Sequence, residues 1–199
     1  MLRSVPRSRE GFFGWTFRGI LGALVPTLLA AAFGLMGGCK SEKASPGPSQ
    51  TSGTAPAPQL QEGKTRLGDV LVTKFTQAYA TPRLDASVEE NPLSVGGRRY
   101  RTGFGTHAIS RIEISFPAKY KTFTGSCGVD DEVQNHGSVV FKILDGEKIL
   151  FESPLMKGKM KAADFSVPVD GLTSLALTVG DGGDGDHFDH ADWVDLNLK

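Results

Sequence analysis

From Lys64 onward the chain alternates apolar and polar positions with a period of two. Arg111-Ile-Glu-Ile-Ser-Phe116, Leu175-Ala-Leu-Thr-Val179 and Asp192-Trp-Val-Asp-Leu-Asn-Leu198 all read as strands with one face buried. Val139–Leu144 and Lys148–Phe151 flank Asp145-Gly146, a pair that supplies the positive φ angles of a tight hairpin turn. Val167-Pro-Val-Asp-Gly171 reads as a further strand running into a turn. About eight short strands at intervals of roughly 8–12 residues predict an all-β sandwich. No segment carries the apolar repeat of an amphipathic helix.

Consecutive strands of such a sandwich alternate in direction. With 109–116 running down, 120–129 runs up, 138–144 down, 148–153 up, 163–169 down, 174–180 up and 189–198 down. The short connections 117–119, 145–147 and 170–173 then fall at one end. Segments 102–108, 130–137, 154–162 and 181–188 fall at the other, and loops gathered at one end of a rigid scaffold are where binding residues concentrate.

That second end collects the unusual chemistry. From Asp181 to Asp195 the chain holds six carboxylates (Asp181, Asp184, Asp186, Asp189, Asp192, Asp195), two imidazoles (His187, His190) and the Trp193 indole, with no Lys or Arg. Its glycines let the backbone fold tightly around polar groups. Arg101–Ala108, with His107, and Cys127–Glu132, with Asp130 and Asp131, are expected beside it. Sugar hydroxyls need well-placed donors and acceptors, and the apolar face of a sugar ring needs an aromatic plate. His107, Asp130, Asp131, Asn135, His136, His187, Asp189, His190 and Asp192 offer the polar side. Trp193, Phe188 and Phe104 are the candidate plates.

With Val194, Leu196 and Leu198 facing inward, parity puts Asp192 and His190 on the same inward face near the rim. A carboxylate there must be paired, hydrogen-bonded or metal-bound. Asp192 and His190 therefore carry three readings: bonds to loop amides that hold the fold, direct sugar contact, or ion ligation. Trp193 falls on the opposite face, either exposed for stacking or buried as a structural residue. Alternation through Lys121–Val129 makes Cys127 a small buried thiol rather than a nucleophile.

Gly103-Phe-Gly-Thr-His-Ala108, Gly128-Val-Asp-Asp-Glu132 and the closing Gly185…Asp-His-Ala-Asp-Trp193, in this order over about Leu67–Leu198, resemble the NPCBM family of carbohydrate-binding modules. The resemblance implies a jelly-roll β-sandwich of the galactose-binding-like type and a glycan as ligand. It also implies a structural calcium ion, whose oxygen ligands a Gly-Asp loop can supply, so Asp181, Asp184 and Asp186 are candidate calcium ligands. His187 and His190 lack a third ligand at zinc spacing.

The chain's 22 basic and 22 acidic residues cancel, but six basic and three acidic ones precede Lys64. Residues 64–199 thus hold sixteen and nineteen, a net charge of −3, which offers no basic footprint for nucleic acid. They form one domain of ample size for a core. Asp130, Asp131 and Asp189 were they a hydrolytic carboxylate pair would need a deep cleft, whereas loop tips give a shallow rim. With no Gly-x-Ser-x-Gly, phosphate loop or His-Glu-x-x-His, the chain reads as non-catalytic.

Arg3, Arg7, Arg9 and Arg18 precede an apolar run, Gly19–Met36, closed by Gly37-Gly38-Cys39. This describes a bacterial lipoprotein export signal over 1–39 with Cys39 as the lipidated residue. An uncleaved anchor and plain secretion are the alternatives, and Pro26 weakens a spanning helix. Residues 40–63, rich in Ser, Pro, Gly and Ala, read as a disordered spacer ahead of the 64–199 domain. The expected whole is an extracytoplasmic module on the bacterial cell envelope, held to the membrane by a lipid anchor and recognising a glycan or glycosylated surface material. The alternative is a structural or adhesive envelope module, stabilised by calcium, with no sugar ligand.

Overall fold

The computed structural model describes residues 55–199, so the export signal, Cys39 and the spacer before residue 55 lie outside the described residues. In chain order the strands are β1 (Arg66–Leu67), β2 (Val70–Gln77), β3 (Arg83–Leu84), β4 (Ser94–Val95), β5 (Arg98–Arg99), β6 (Gly103–His107) and β7 (Ser110–Ser115). They continue as β8 (Thr122–Val129), β9 (Ser138–Asp145), β10 (Lys148–Glu152), β11 (Met156–Lys157), β12 (Ala163–Pro168), β13 (Ser174–Gly180) and β14 (His190–Leu198). One sheet runs β1-β2-β7-β13-β9-β10 with β11 added to β9, and the other runs β12-β8-β14-β6-β3. All pairs are antiparallel, and the chain crosses repeatedly between the two sheets, giving the expected jelly-roll sandwich.

The period-two pattern forms the core between the sheets. Ile112, Ile114, Phe141, Ile143, Leu177 and Val179 from one sheet meet Phe123, Cys127, Phe165, Ala191 and Trp193 from the other. The Trp193 indole lies edge-on to Phe141 and Phe165, with centroids 5.0 and 5.8 Å away. Burying so large a ring stabilises the sandwich by roughly 3–5 kcal/mol relative to alanine. The β9–β10 hairpin closes through Gly146-Glu147. Only Gly146 has positive φ (59°), so Asp145 ends its strand rather than sharing the turn.

β14 departs from simple alternation. One extra residue sits opposite β8 between Val194 and Asn197, and Asp195 takes a φ of 51°. This bulge reverses the side-chain parity. Before it, Ala191 and Trp193 face the inter-sheet core; after it, Leu196 and Leu198 do. Val194, Asp192 and His190 therefore share the other face, a correction to the inward face expected from Val194.

That other face is also buried. Residues 85–101 form a flap over it, in which the β4–β5 hairpin brings Leu93, Val95 and Tyr100 onto Val194. The flap lies close because glycines make room. A side chain at Gly105 would meet the Ala86 carbonyl at 2.1 Å, and one at Gly128 would meet Val95 at 2.4 Å. Gly105 and Gly128 are both in register with Asp192, so β6, β14 and β8 present Gly–Asp–Gly in a row beneath the flap. Every residue of 103–107 is buried in this strand, although 102–108 is expected as a loop. The fold also begins upstream of Lys64: Gln59 bridges to Arg83, Leu84 bonds the Pro58 carbonyl, and Leu60 is buried.

Candidate functional site

His107 and His190 are cross-strand partners at the ends of β6 and β14, and their rings lie 5.3 Å apart. The Asp130 amide donates to the His190 carbonyl (3.0 Å), and the Ala108 amide to the Asp189 carbonyl (3.0 Å). His107, Asp130, Asp189 and His190 thus gather at one end of the sandwich, the end that strand direction assigns them. What each side chain does there differs.

Asp130, Asp131 and Glu132 hold the flap. Asp130 accepts from the Glu132 amide (2.8 Å) and the Ser94 amide (3.3 Å). Asp131 accepts from Ser94 Oγ (2.6 Å) and the Gly97 amide (2.8 Å). Glu132 Oε2 accepts from Ser87 Oγ (2.6 Å) and Asn91 Nδ2 (2.8 Å). The carboxylates of Asp130 and Asp131, candidate sugar contacts by sequence, are taken up by the fold. Asp192 lies deeper, and neither of its oxygens has a donor partner. Burial, then the neighbouring Asp130 charge, hold its carboxyl well above the usual range. Burial also raises Asp130.

Glu132 faces the solvent side of the same end. Its Oε1 lies 2.6 Å from His190 Nδ1. Burial alone would raise its pKa, but the bonds from His190, Ser87 and Asn91 outweigh it and keep the carboxylate ionised. The His190 ring is thereby fixed with Nδ1 turned to Glu132. His107 is held differently, its Nδ1 against the Ala108 carbonyl and its amide on Gln77 (3.1 Å), and burial lowers its pKa.

A cleft of about 530 Å³ opens over this pair. Glu89 and Asn91 of the flap line one side, Glu132, Gln134 and His136 another, and Phe188 and His190 a third. Phe188 is 55% exposed and lies 5.0 Å from the His136 ring. A smaller hollow of about 300 Å³ shares Phe188 and His190 and is lined also by Tyr79, His107, Asp186 and His187. Of the candidate plates only Phe188 is available. Trp193 and Phe104 are fully buried between the sheets, where Trp193 packs against Phe141 and Phe165. Glu132, Asn91, Glu89 and Tyr79 also line this end, outside the sequence candidates. Only Glu132, next to two chosen aspartates, carried a signal.

The 181–189 loop is folded on its own backbone and on β9. Asp181 Oδ1 accepts from the Gly183 amide (3.1 Å), Asp184 Oδ1 from Ser138 Oγ (2.6 Å), and Asp189 Oδ1 from the Ser138 amide (2.7 Å). Burial raises Asp189 to about 6, with the Asp184, Asp181 and Asp186 charges adding to the shift. Asp181, Asp184 and Asp186 do not converge. Among the described residues no group of three or more His, Cys, Asp or Glu side chains is placed to hold a metal ion, so the calcium site expected from these three does not fit the structure.

The NPCBM/NEW2 domain model matches residues 63–199, the whole of this sandwich. The chain belongs to the NPCBM/NEW2 domain family. Its NPCBM/NEW2 domain is similar to the CBM51 of Clostridium perfringens GH95, solved in complex with methyl-galactose: 31% identity, TM-score 0.61, covering 64% of this chain and 94% of that one. It is also similar to the structure of CBM51-2 in complex with GlcNAc and INT domains from Clostridium perfringens ZmpB, at 25% identity and TM-score 0.60 over 64% of this chain and 29% of that one. Alpha-1,3-galactosidase B of Akkermansia muciniphila is 39% identical over 156 residues, 76% of this chain. The chain spans 20% of that relative's length.

Proposed function

We propose that this NPCBM/NEW2 domain is a non-catalytic glycan-binding module that holds a sugar in the cleft between the flap, the 132–136 turn and Phe188. One observation carries the reading: an exposed aromatic ring stands beside a histidine whose orientation is fixed by a half-buried carboxylate. Phe188 offers a face to the apolar side of a pyranose, while His190, Asn91, Gln134 and His136 surround it with groups for hydroxyls. The sugars named for the two CBM51 structures, methyl-galactose and GlcNAc, are the first ligands to test. Display on the bacterial envelope through a lipidated Cys39 completes the proposal; Cys39→Ser should move the protein from the membrane fraction to the soluble one.

The direct experiment is a glycan array with the full chain and two variants, Phe188→Ala and His190→Ala. Binding should fall at least about tenfold in each, the value of one good stacking or hydrogen-bonding contact. Phe188→Ala, exposed as it is, should melt with the parent. A second reading, a purely structural module, draws on the flap bonds that occupy Asp130 and Asp131. It predicts no glycan bound at all and a large stability loss in Asp131→Ala.

A further inference from the structure

The turn Lys157-Gly-Lys-Met160 packs against the 134–136 wall of the cleft and is unlike the cleft's own lining. It is closed by the Met160 amide donating to the Lys157 carbonyl (3.1 Å). Gly158 fits directly against the cleft wall: a side chain there would meet the Gln134 carbonyl at 2.3 Å and the His136 carbonyl at 2.5 Å. On its far side the turn touches the flap, since a side chain at Gly96 would meet the Met160 carbonyl at 2.7 Å. Lys157, Lys159 and Lys161 are all exposed, and none of them is in an ion pair among the described residues.

Two features make this more than a solvated face. Residues 64–199 have a net charge of −3, and Glu89 lines the cleft and Asp186 the adjoining hollow, so the exposed lysines stand out against acidic surroundings. Lys159 also has a φ of 66°, in the left-handed region where glycine is the default and a lysine is disfavoured.

We infer that the Lys157–Lys161 turn receives an anionic group, a sulfate ester or carboxylate, borne by a sugar adjoining the one in the cleft, so that the preferred ligand is an acidic glycan. This rests on the glycan reading above. The neutral ring sits between Phe188 and His190, and the acid points over the 134–136 wall, away from Glu89 and Asp186. Charges within about a Debye length of each other, roughly 8–10 Å at physiological salt, attract without direct contact.

The test uses the full chain on an array pairing each neutral glycan with its sulfated and its sialylated counterpart, with phosphatidylglycerol vesicles assayed in parallel. Acidic members should bind about tenfold more tightly than their neutral partners, the combined size of three exposed charge contacts. The margin should shrink from about 50 mM to about 500 mM salt. The triple variant Lys157→Gln/Lys159→Gln/Lys161→Gln should lose the margin and keep neutral binding. Lys159→Gly, which suits the backbone better, should lower acidic binding about twofold without lowering the melting temperature. Equal binding of neutral and acidic members, or an intact margin in the triple variant, overturns the inference while leaving the cleft reading in place. So does a triple variant that loses only vesicle binding, which would turn the lysines toward a membrane. A protein that binds no glycan of either kind sinks the cleft reading, and this inference with it.

Discussion

Replacing Glu132 by Gln should loosen the flap and reverse the hydrogen-bond polarity of His190 in one step. The ionised carboxylate meets three groups: Ser87 Oγ at 2.6 Å, Asn91 Nδ2 at 2.8 Å and His190 Nδ1 at 2.6 Å. A hydrogen bond to a charged group contributes roughly 1.5–3 kcal/mol against about 0.5–1.5 for a neutral one, a difference of about 1 kcal/mol per bond. The amide keeps neutral versions of these bonds, so the expected loss is about 2–3 kcal/mol. At about 3 °C per kcal/mol for a domain of this size, the melting temperature falls by about 6–9 °C. With the amide oxygen left to Ser87 and Asn91, its NH₂ must face His190. Nδ1, the proton carrier opposite a carboxylate, then becomes the acceptor and the proton moves to Nε2. Long-range ¹H–¹⁵N spectra distinguish the two tautomers. An unchanged tautomer with a melting temperature within about 2 °C of the parent would refute the assigned role of Glu132.

Asp189→Asn tests the buried carboxyl beneath the loop. Its folded pKa of about 6 exceeds the usual 3.8, so the native state binds the proton more tightly than the unfolded one. Stability should therefore fall as pH rises from about 4 to about 6, by at most about 3 kcal/mol, and urea unfolding of the Asn variant should show a slope shallower by about 1.4 kcal/mol per pH unit in that window. An identical slope in both proteins would contradict the assignment. Gly105→Ala puts a methyl group 2.1 Å from the Ala86 carbonyl, which must displace the flap. The expected cost is about 1–3 kcal/mol, with faster proteolysis within 85–101; a variant as resistant as the parent would mean that the flap is not seated on this glycine. Because Asp181, Asp184 and Asp186 do not converge, chelator should leave the melting temperature unchanged, and a drop reversed by calcium would show a site this geometry lacks.

The strands were legible because the inter-sheet core imposes a period of two, and Ile112, Ile114, Leu175 and Leu177 have no other way to face it. Strand direction then fixed the end at which His107, Asp130, Asp189 and His190 meet. The flap was not legible. Its two strands are two residues long, too short to alternate, yet it buries the second face of β14. With Trp193 and Val194 both apolar and both covered, alternation alone could not say which faced the core. The bulge that decides it sits at Asp195, where no glycine announces the positive φ. At the site, the run Asp130-Asp-Glu132 was visible as polar and purposeful, but its partners Ser87, Asn91 and Ser94 lie in the flap. Tyr79 and Glu89 come from irregular connections with no pattern to mark them.

Amide chemical-shift mapping of the ¹⁵N-labelled chain, titrated with galactose and with GlcNAc, tests binding at the cleft most directly. Shifts should gather on Asn91, Glu132–His136 and Phe188–His190, around the fixed imidazole and the exposed ring. Shifts confined to the other large hollow, on the outer face of β7, β13 and β9 near Ile109, Lys142 and Thr178, would place the ligand elsewhere and contradict the account.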